Sequence, residues 1–247
     1  MMHPAMDPKG FIDLHAHVLH GVDDGPGTLE EVLAVIAGMS EMGYVEICAT
    51  PHQRSDLYAP HPDQIQVAAA ELRAGLNEHG SAMKVRIGAE NCWDDLFFER
   101  VQQGSIPTYE GTKSFLLEMP GWFLPAELDR RLFDLRRSGY LPVIAHIERY
   151  QGTPDLLERA RSIAEFAVIT CNLESLGGSA GRRAAGIARK AVTEGIAQVL
   201  CSDIHGEIWL KDLAKGFRWL SRRVSADRID LLLKTNPMRV LAGEMPE

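Results

Sequence analysis

Long apolar runs, a basic surplus and interdomain linkers are all missing from this chain of 247 residues. No stretch is long enough to cross a bilayer, and residues 1–10 lack the basic and apolar regions of a secretion signal. We therefore expect a cytoplasmic protein that does not insert into membranes. The formal net charge of −8, with no basic stripe to offset it, disfavours nucleic acid as a partner. Because no linker or repeat divides the chain, residues 1–247 are predicted to form one domain, with 1–9 as a flexible N-terminus.

Cysteine is also scarce, and its placement argues against thiol chemistry. Three of the four cysteines lie in or at the end of apolar runs, and none has CxxC spacing, which predicts buried, reduced thiols. Residues 48–54 do match the C-x5-R spacing of thiol-dependent phosphatases. However, Pro51 removes a backbone donor that a phosphate cradle needs, and the segment has no glycine. Burial would also raise the pKa of Cys48, so a cysteine nucleophile is not expected.

What the chain does contain is a series of short apolar runs that end in metal-binding residue types. His15 and His17 follow the first run, and side chains at i and i+2 of a strand share one face, so both imidazoles can bind one cation. A short glycine-rich loop then supplies Asp23 and Asp24. The pattern recurs at 44–49 before His52, 85–89 before Glu90, 115–117 before Glu118, 141–145 before His146, and 198–201 before Asp203 and His205. Six candidate strands therefore end in metal-ligand chemistry.

Segments with helical periodicity separate these runs. Thr28 and Glu31 form a possible capping box before an apolar stripe, and Gly43 stands where a C-terminal cap belongs. This alternation predicts an α/β architecture with parallel strands. With 168–170 as a further strand, about seven strands precede the helical tail. We therefore expect a distorted (β/α)7 TIM-like barrel, with a metal site at the C-terminal ends of the strands, rather than an open sheet.

Taken in order, these segments resemble the PHP (polymerase and histidinol phosphatase) superfamily, and within it the bacterial capsular-polysaccharide-type, metal-dependent tyrosine-protein phosphatases. The segments that carry the resemblance are IDLHAH, GVDDGPGTLEEVL, ATPH, IGAE, LLEMP, PVIAHIERY, CSDIH and NPMRVL. HxH alone is weak evidence. The ordered set is specific, because each piece falls at a predicted strand end or at the expected loop.

The resemblance implies a trinuclear site of divalent cations, usually manganese, with iron or zinc as alternatives. The implied ligands are His15, His17, Asp24, His52, Glu90, Glu118, His146, Asp203 and His205. Asp24 is preferred within the Asp23-Asp24 pair, and the reverse assignment stays open. Arg149 matches the family's phosphate-binding arginine. The resemblance therefore implies Arg149, together with the ligands Asp24 and His52, as catalytic residues. Arg149, Tyr150 and Arg54 are the expected substrate contacts.

The chain also departs from the family pattern. Many relatives have a second histidine where this sequence has Gln53, and an Arg-Pro pair where it reads GEIWLK at 206–211. Arg54 or Lys211 could compensate. The implied activity is hydrolysis of phosphotyrosine on a protein, a bacterial tyrosine kinase being one candidate, by a metal-activated hydroxide and without a phosphoenzyme. The alternatives are a phosphatase of small phosphomonoesters such as sugar phosphates or histidinol phosphate, a phosphodiesterase, and a non-catalytic metal-binding regulatory module.

Overall fold

The computed structural model of this protein describes residues 10–246, so the expected flexible segment 1–9 lies outside the described residues. Strands and helices alternate along this range. The strands are β1 (Phe11–Ala16), β2 (Tyr44–Ala49), β3 (His52–Gln53), β4 (Lys84–Ile87), β5 (Glu90–Cys92), β6 (Ser114–Glu118), β7 (Leu141–Ile144), β8 (Val168–Asn172) and β9 (Val199–Cys201). The helices are α1 (Leu29–Glu41), α2 (Pro62–Glu78), α3 (Asp95–Gln103), α4 (Leu128–Arg137), α5 (Leu156–Ile163), α6 (Leu173–Gly177), α7 (Arg182–Thr193), α8 (Leu210–Arg223), α9 (Ala226–Asp230) and α10 (Asn236–Leu241).

The strands form two parallel sheets. One has the order β1-β2-β4, and the other has the order β3-β5-β6-β7-β8-β9. The described strand pairs are all parallel, which confirms the predicted α/β class. Between the last strand and the first, Ala16 forms a parallel bridge with Ile204, and the Asp203 amide donates to the His15 carbonyl at 2.8 Å.

The run predicted over 85–89 is divided in the structure. Strand β4 ends at Ile87, and β5 begins at Glu90, where it pairs with β3 in the second sheet. The backbone stays connected across this break, because the Gly88 amide donates to Ala49 at 2.8 Å and the Glu90 amide to Pro51 at 3.1 Å.

The helix signals in the sequence are confirmed. Thr28 caps α1, its side chain accepting from the Glu31 amide, while the Glu31 carboxylate accepts from the Thr28 amide. Gly43 follows α1 with φ of 101°, a left-handed conformation that glycine adopts without steric cost. In α8, Leu213 and Leu220 are buried, while Phe217 packs against the core from its edge. No helix within residues 10–246 is both long enough and apolar enough to cross a membrane.

The core has two parts, and the smaller one is built mainly from strand residues. It contains Leu14, Leu116, Val143 and other alternate strand residues, packed against Val240 of α10. Burial of one such side chain stabilises the fold by about 1.5–3 kcal/mol. All four cysteines are buried and free, as predicted.

Candidate metal centre

The nine predicted ligands come from four strands, β1, β3, β5 and β6, and from the loops that follow β1, β7 and β9, yet they meet in one place. Their ligand atoms fall into four overlapping groups, and within each group they lie within 4.8 Å of one another. The groups are His17, Asp24, His52 and His205; His15, His146 and Asp203; His15, His17 and Glu90; and His52, Glu90 and Glu118. The structure thus brings together the residues that the sequence analysis predicted to be near one another.

Glu90 lies at the middle of this arrangement. Its Oε1 atom is 3.0 Å from His146 Nε2 and 3.3 Å from His15 Nε2. Its Oε2 atom is 2.9 Å from His52 Nδ1 and 3.4 Å from His17 Nε2. Although burial opposes ionisation, His15 and the other imidazoles hold the pKa of Glu90 well below its usual range. A single buried carboxylate therefore faces four imidazoles.

The more exposed part of the centre is organised by the two adjacent aspartates. Asp24 is 43% exposed through its side chain, and its Oδ1 lies 3.3 Å from His205 Nε2 and 3.5 Å from His52 Nε2. The Asp23 side chain is buried, and its Oδ2 lies 2.7 Å from His17 Nδ1 and accepts from the His52 amide at 3.1 Å. Asp24 therefore faces the cluster, while Asp23 fixes the orientation of His17 from behind, as carboxylates do for ligand histidines.

Two side chains of the centre stand on strained backbone. His146 has φ of 33° and Asp203 has φ of 51°, both in the left-handed region that residues with a Cβ seldom adopt. Such conformations cost about 1–3 kcal/mol each and concentrate at functional sites. They persist here because Thr170 Oγ1 accepts from the His146 amide at 3.2 Å and the His15 carbonyl accepts from the Asp203 amide.

The donor set fits divalent cations. The Nε2 atoms of His15 and His17 face each other at 3.1 Å, and the buried Glu118 Oε1 accepts no hydrogen bond. Burial, reinforced by the charge of Glu90, raises the pKa of Glu118 to about 8. A cation between these groups would replace the missing partner and relieve the repulsion between the carboxylates. Imidazoles mixed with carboxylates suit manganese, iron or zinc better than a thiolate-selected metal.

Two arginines border the centre. The Arg149 guanidinium contacts the Asp203 carboxylate, which also accepts from the Asn172 side chain at 2.8 Å. Arg54 lies 3.2 Å from Asp56 and places Nη1 3.9 Å from Glu118 Oε1. Both predicted substrate arginines are therefore beside proposed ligands.

Other predicted residues have different surroundings. Tyr150 is buried, its hydroxyl accepts from the Met119 amide at 3.0 Å, and its ring lies 5.8 Å from that of His146, so it stands behind the histidine. The carboxylate of Asp13 accepts from the His15 and Ser202 amides, which fixes the backbone of two ligand segments. His20 pairs with Glu71 at 2.8 Å, away from the cluster.

Three further residues lie next to the centre, and sequence reasoning gave none of them a role in catalysis. Tyr58 stacks on His52 at 5.8 Å between ring centroids, and the ring of Trp209 lies 5.6 Å from that of His205. Glu174, nearly buried, faces Arg149 across a cavity. No strand-end signal marks Tyr58, Glu174 or Trp209, because all three lie outside the strands.

Comparisons with known proteins show which family the chain matches. Residues 11–242 match the family described as "Capsular polysaccharide synthesis, CpsB/CapC". The tyrosine-protein phosphatase CpsB of Streptococcus agalactiae is 26% identical over 238 residues, which is 94% of this chain and 98% of that protein. The tyrosine-protein phosphatase YwqE of Bacillus subtilis is 27% identical over 198 residues, 79% of this chain and 77% of that protein.

The fold is also similar to solved structures. A structure of YwqE from Bacillus subtilis and CpsB from Streptococcus pneumoniae, described as unique metal-dependent tyrosine phosphatases, superposes with a TM-score of 0.84. It has 24% identity over 96% of each chain. Histidinol phosphate phosphatase from Lactococcus lactis superposes with a TM-score of 0.53 and 14% identity, over 86% of this chain and 93% of that one. The match over nearly the whole sequence, together with the shared fold, shows that this chain belongs to the CpsB/CapC family of capsular polysaccharide synthesis proteins.

Proposed function

We propose that this protein is a metal-dependent phosphatase that hydrolyses phosphotyrosine on protein substrates. The observation that carries the proposal is the convergence of nine imidazole and carboxylate side chains at one edge of the sheets, with Arg149 beside them. Relatives that align over most of their length are tyrosine-protein phosphatases, which supports the same reaction here. A regulatory module without activity would have no need of so complete a donor set.

The four groups of donors would hold up to three divalent cations, most suitably manganese, with iron or zinc as alternatives. When bound, such cations supply Lewis acidity and lower the pKa of a coordinated water enough to make a nucleophile near neutral pH. Asp24, His17, His52 and His205 would hold the outermost ion, and Glu90 would be shared between positions, since both of its oxygens face imidazoles. Asp23 would keep His17 in the orientation that presents Nε2.

The arginines provide the phosphate contacts. The Arg149 guanidinium can donate two parallel hydrogen bonds to non-bridging phosphate oxygens and stabilise the charge that develops as the P–O bond breaks. Its present partner, Asp203, is one of the proposed ligands, so a phosphate bound there would bridge the arginine and the centre. Arg54 lies next to Glu118 and is the second candidate.

A cysteine nucleophile is not part of the mechanism. The Cys48 side chain is fully buried, and burial raises its pKa well above the usual range, so no thiolate is available to attack phosphorus. The proposed reaction passes directly to phosphate and phenol.

The strand arrangement supports a closed, distorted (β/α)7 barrel as the scaffold. If β2 with β3 and β4 with β5 are each counted as one interrupted strand, seven strand positions follow in order from β1 to β9. The Ala16 bridge to Ile204 then joins the last position to the first. In such a barrel the loops after the strands surround the active site.

Several large apolar side chains are exposed on loops after the ligand-bearing strands. They are Leu57 after β3, Trp122 and Phe123 after β6, and Ile208 after β9. Exposed apolar groups near a site are typical of surfaces that bind protein. They favour a phosphotyrosine protein, of which a tyrosine kinase is one candidate, over a small sugar phosphate.

The test is an assay of manganese-loaded protein on phosphotyrosine and phosphoserine peptides and on small sugar phosphates. We expect hydrolysis of the phosphotyrosine peptide, retained activity in Cys48→Ser, and loss of most activity in His52→Ala. Bound metal with no activity on any phosphomonoester would reject the proposal in favour of a regulatory role.

A further inference from the structure

A cavity of about 490 Å³ opens beside the candidate centre. Its volume falls within the range of about 300–1,000 Å³ that small-molecule pockets occupy. The walls come from α6 and the segment after it, from the 3-10 turn Glu207–Trp209 and from the start of α8. The lining residues are Arg149, Glu174, Ser179, Ala180, Ile208, Trp209, Lys211 and Asp212.

The cavity is continuous with the proposed phosphate site. Arg149 contacts the Asp203 carboxylate and also lines the cavity, while Trp209 lines it with a ring 5.6 Å from His205. Two wall residues thus touch two of the proposed ligands. A phosphate held by Arg149 would therefore have its ester oxygen and the attached group at the inner end of the cavity.

The side chains that line the cavity suit an aromatic group that carries one oxygen atom able to accept a proton. Trp209 and Ile208 offer apolar surface, and Ile208 is 68% exposed at the rim. Glu174 is only 3% exposed, and its Oε2 atom has no hydrogen-bond partner. An unpartnered, buried carboxyl oxygen costs free energy, unless it serves a ligand that enters the cavity.

We propose that this cavity receives the aryl group of the substrate and that Glu174 donates the proton to the leaving phenolate oxygen. The inference rests on the proposed phosphatase function and adds to it a leaving-group site and a catalytic acid.

The step balances as follows. Water gives up one proton to solvent as its oxygen forms the new bond to phosphorus, the bond between phosphorus and the aryl oxygen breaks, and its electron pair stays on the aryl oxygen. That oxygen takes the proton of the Glu174 carboxyl group, which leaves a carboxylate and a neutral phenol. The carboxylate regains a proton from solvent after the product departs.

The electrostatics of Glu174 support this use. Burial, with the nearby charge of Glu148, raises its pKa to about 7, so a large share is protonated near neutral pH. Arg149 and a Ser175 hydrogen bond act in the opposite direction, and Asp203 acts in the same direction as burial. The other charged side chains that line the cavity are Lys211 and Asp212, both from α8. A bound phosphate would offset the charge of Arg149 and favour the protonated acid further.

The experiment uses manganese-loaded wild-type protein and Glu174→Gln with a series of aryl phosphates, from 4-nitrophenyl phosphate to phenyl phosphate and a phosphotyrosine peptide. The amide keeps the size of the side chain but cannot donate a proton to phenolate. We expect kcat on phenyl phosphate and the peptide to fall about 10²-fold, as for other catalytic acids. The loss should shrink toward none for 4-nitrophenyl phosphate, whose anion leaves without a proton.

Glu158→Gln, on the exposed face of α5, is the matched control, and metal content and Tm of each variant establish that the fold is intact. A loss in Glu174→Gln that is equal for all leaving groups, in protein with normal metal content, would overturn the inference while the phosphatase function stands. Wild-type protein inactive on every aryl phosphate would instead overturn the proposed function, and this inference with it.

Discussion

Glu90 places both carboxylate oxygens against imidazoles, with four histidines within 3.4 Å of them. Glu90→Gln removes the charge and half of the acceptor capacity. We expect metal affinity to fall by more than the ~10–100-fold that loss of an orienting residue costs, and activity to fall with it. Metal content after dialysis measures this. The control is Glu71→Gln, which changes only the partner of His20 and should retain wild-type metal content. Equal metal content in Glu90→Gln and Glu71→Gln would contradict the central position of Glu90.

Asp23 and Asp24 are adjacent in sequence but differ in what they contact. Asp24→Ala removes an oxygen that faces His52 and His205, so we expect one ion fewer per chain. Asp23→Asn keeps the shape of the group behind His17 but weakens its hydrogen bond to Nδ1, so the ion count should stay the same while affinity falls about 10–100-fold. Metal titration separates the two effects, and a reversed result would make Asp23 the ligand.

At the scale of elements, α6 and α8 pack with their backbones in contact. A Cβ atom at Gly216 would lie 2.0 Å from the Leu173 carbonyl oxygen, and one at Gly177 would lie 2.7 Å from the Lys215 Cβ. Two glycines thus allow α6, which carries Glu174, to approach the middle of α8 closely. The wall of the cavity depends on this contact.

Gly216→Ala should therefore destabilise the protein by about 1–3 kcal/mol, because α6 and α8 must separate. It should also lower activity on aryl phosphates as Glu174 moves. Gly186→Ala in α7 is the matched control, because nothing lies within 4 Å of the added Cβ and a helical alanine is favoured by about 1 kcal/mol. Urea unfolding of both variants gives the two free energies. Equal stability would show that the two helices can move apart at no cost.

The sequence predicts the ligands at the strand ends but not the residues that line the cavity beside them. The C-terminal ends of parallel strands meet at one edge, so His146 and Asp203 could be placed together from their positions after apolar runs. Glu174 and Trp209 depend on how α6, the 3-10 turn and α8 pack, and packing of this kind leaves no periodic signal. The break between β4 and β5 was also missed, because the apolar pattern continues across Gly88 and Ala89 while the hydrogen bonding does not.

At the scale of the whole molecule, the centre joins segments from residue 15 to residue 205, so bound cations should stabilise the entire fold. A ligand that binds only the folded state at 100 times its Kd adds about 2.7 kcal/mol, and each kcal/mol corresponds to roughly 2–4 °C in Tm for a chain of this size. We therefore expect EDTA to lower Tm by about 5–10 °C for each ion removed. Thermal unfolding with and without manganese measures the shift.

His15→Ala should abolish much of this change in Tm. His20→Ala removes an imidazole that pairs with Glu71 outside the cluster, so this variant should retain the change. An unchanged Tm after complete metal removal would mean that the donors are held in place without cations, and the proposed centre would lose its physical basis.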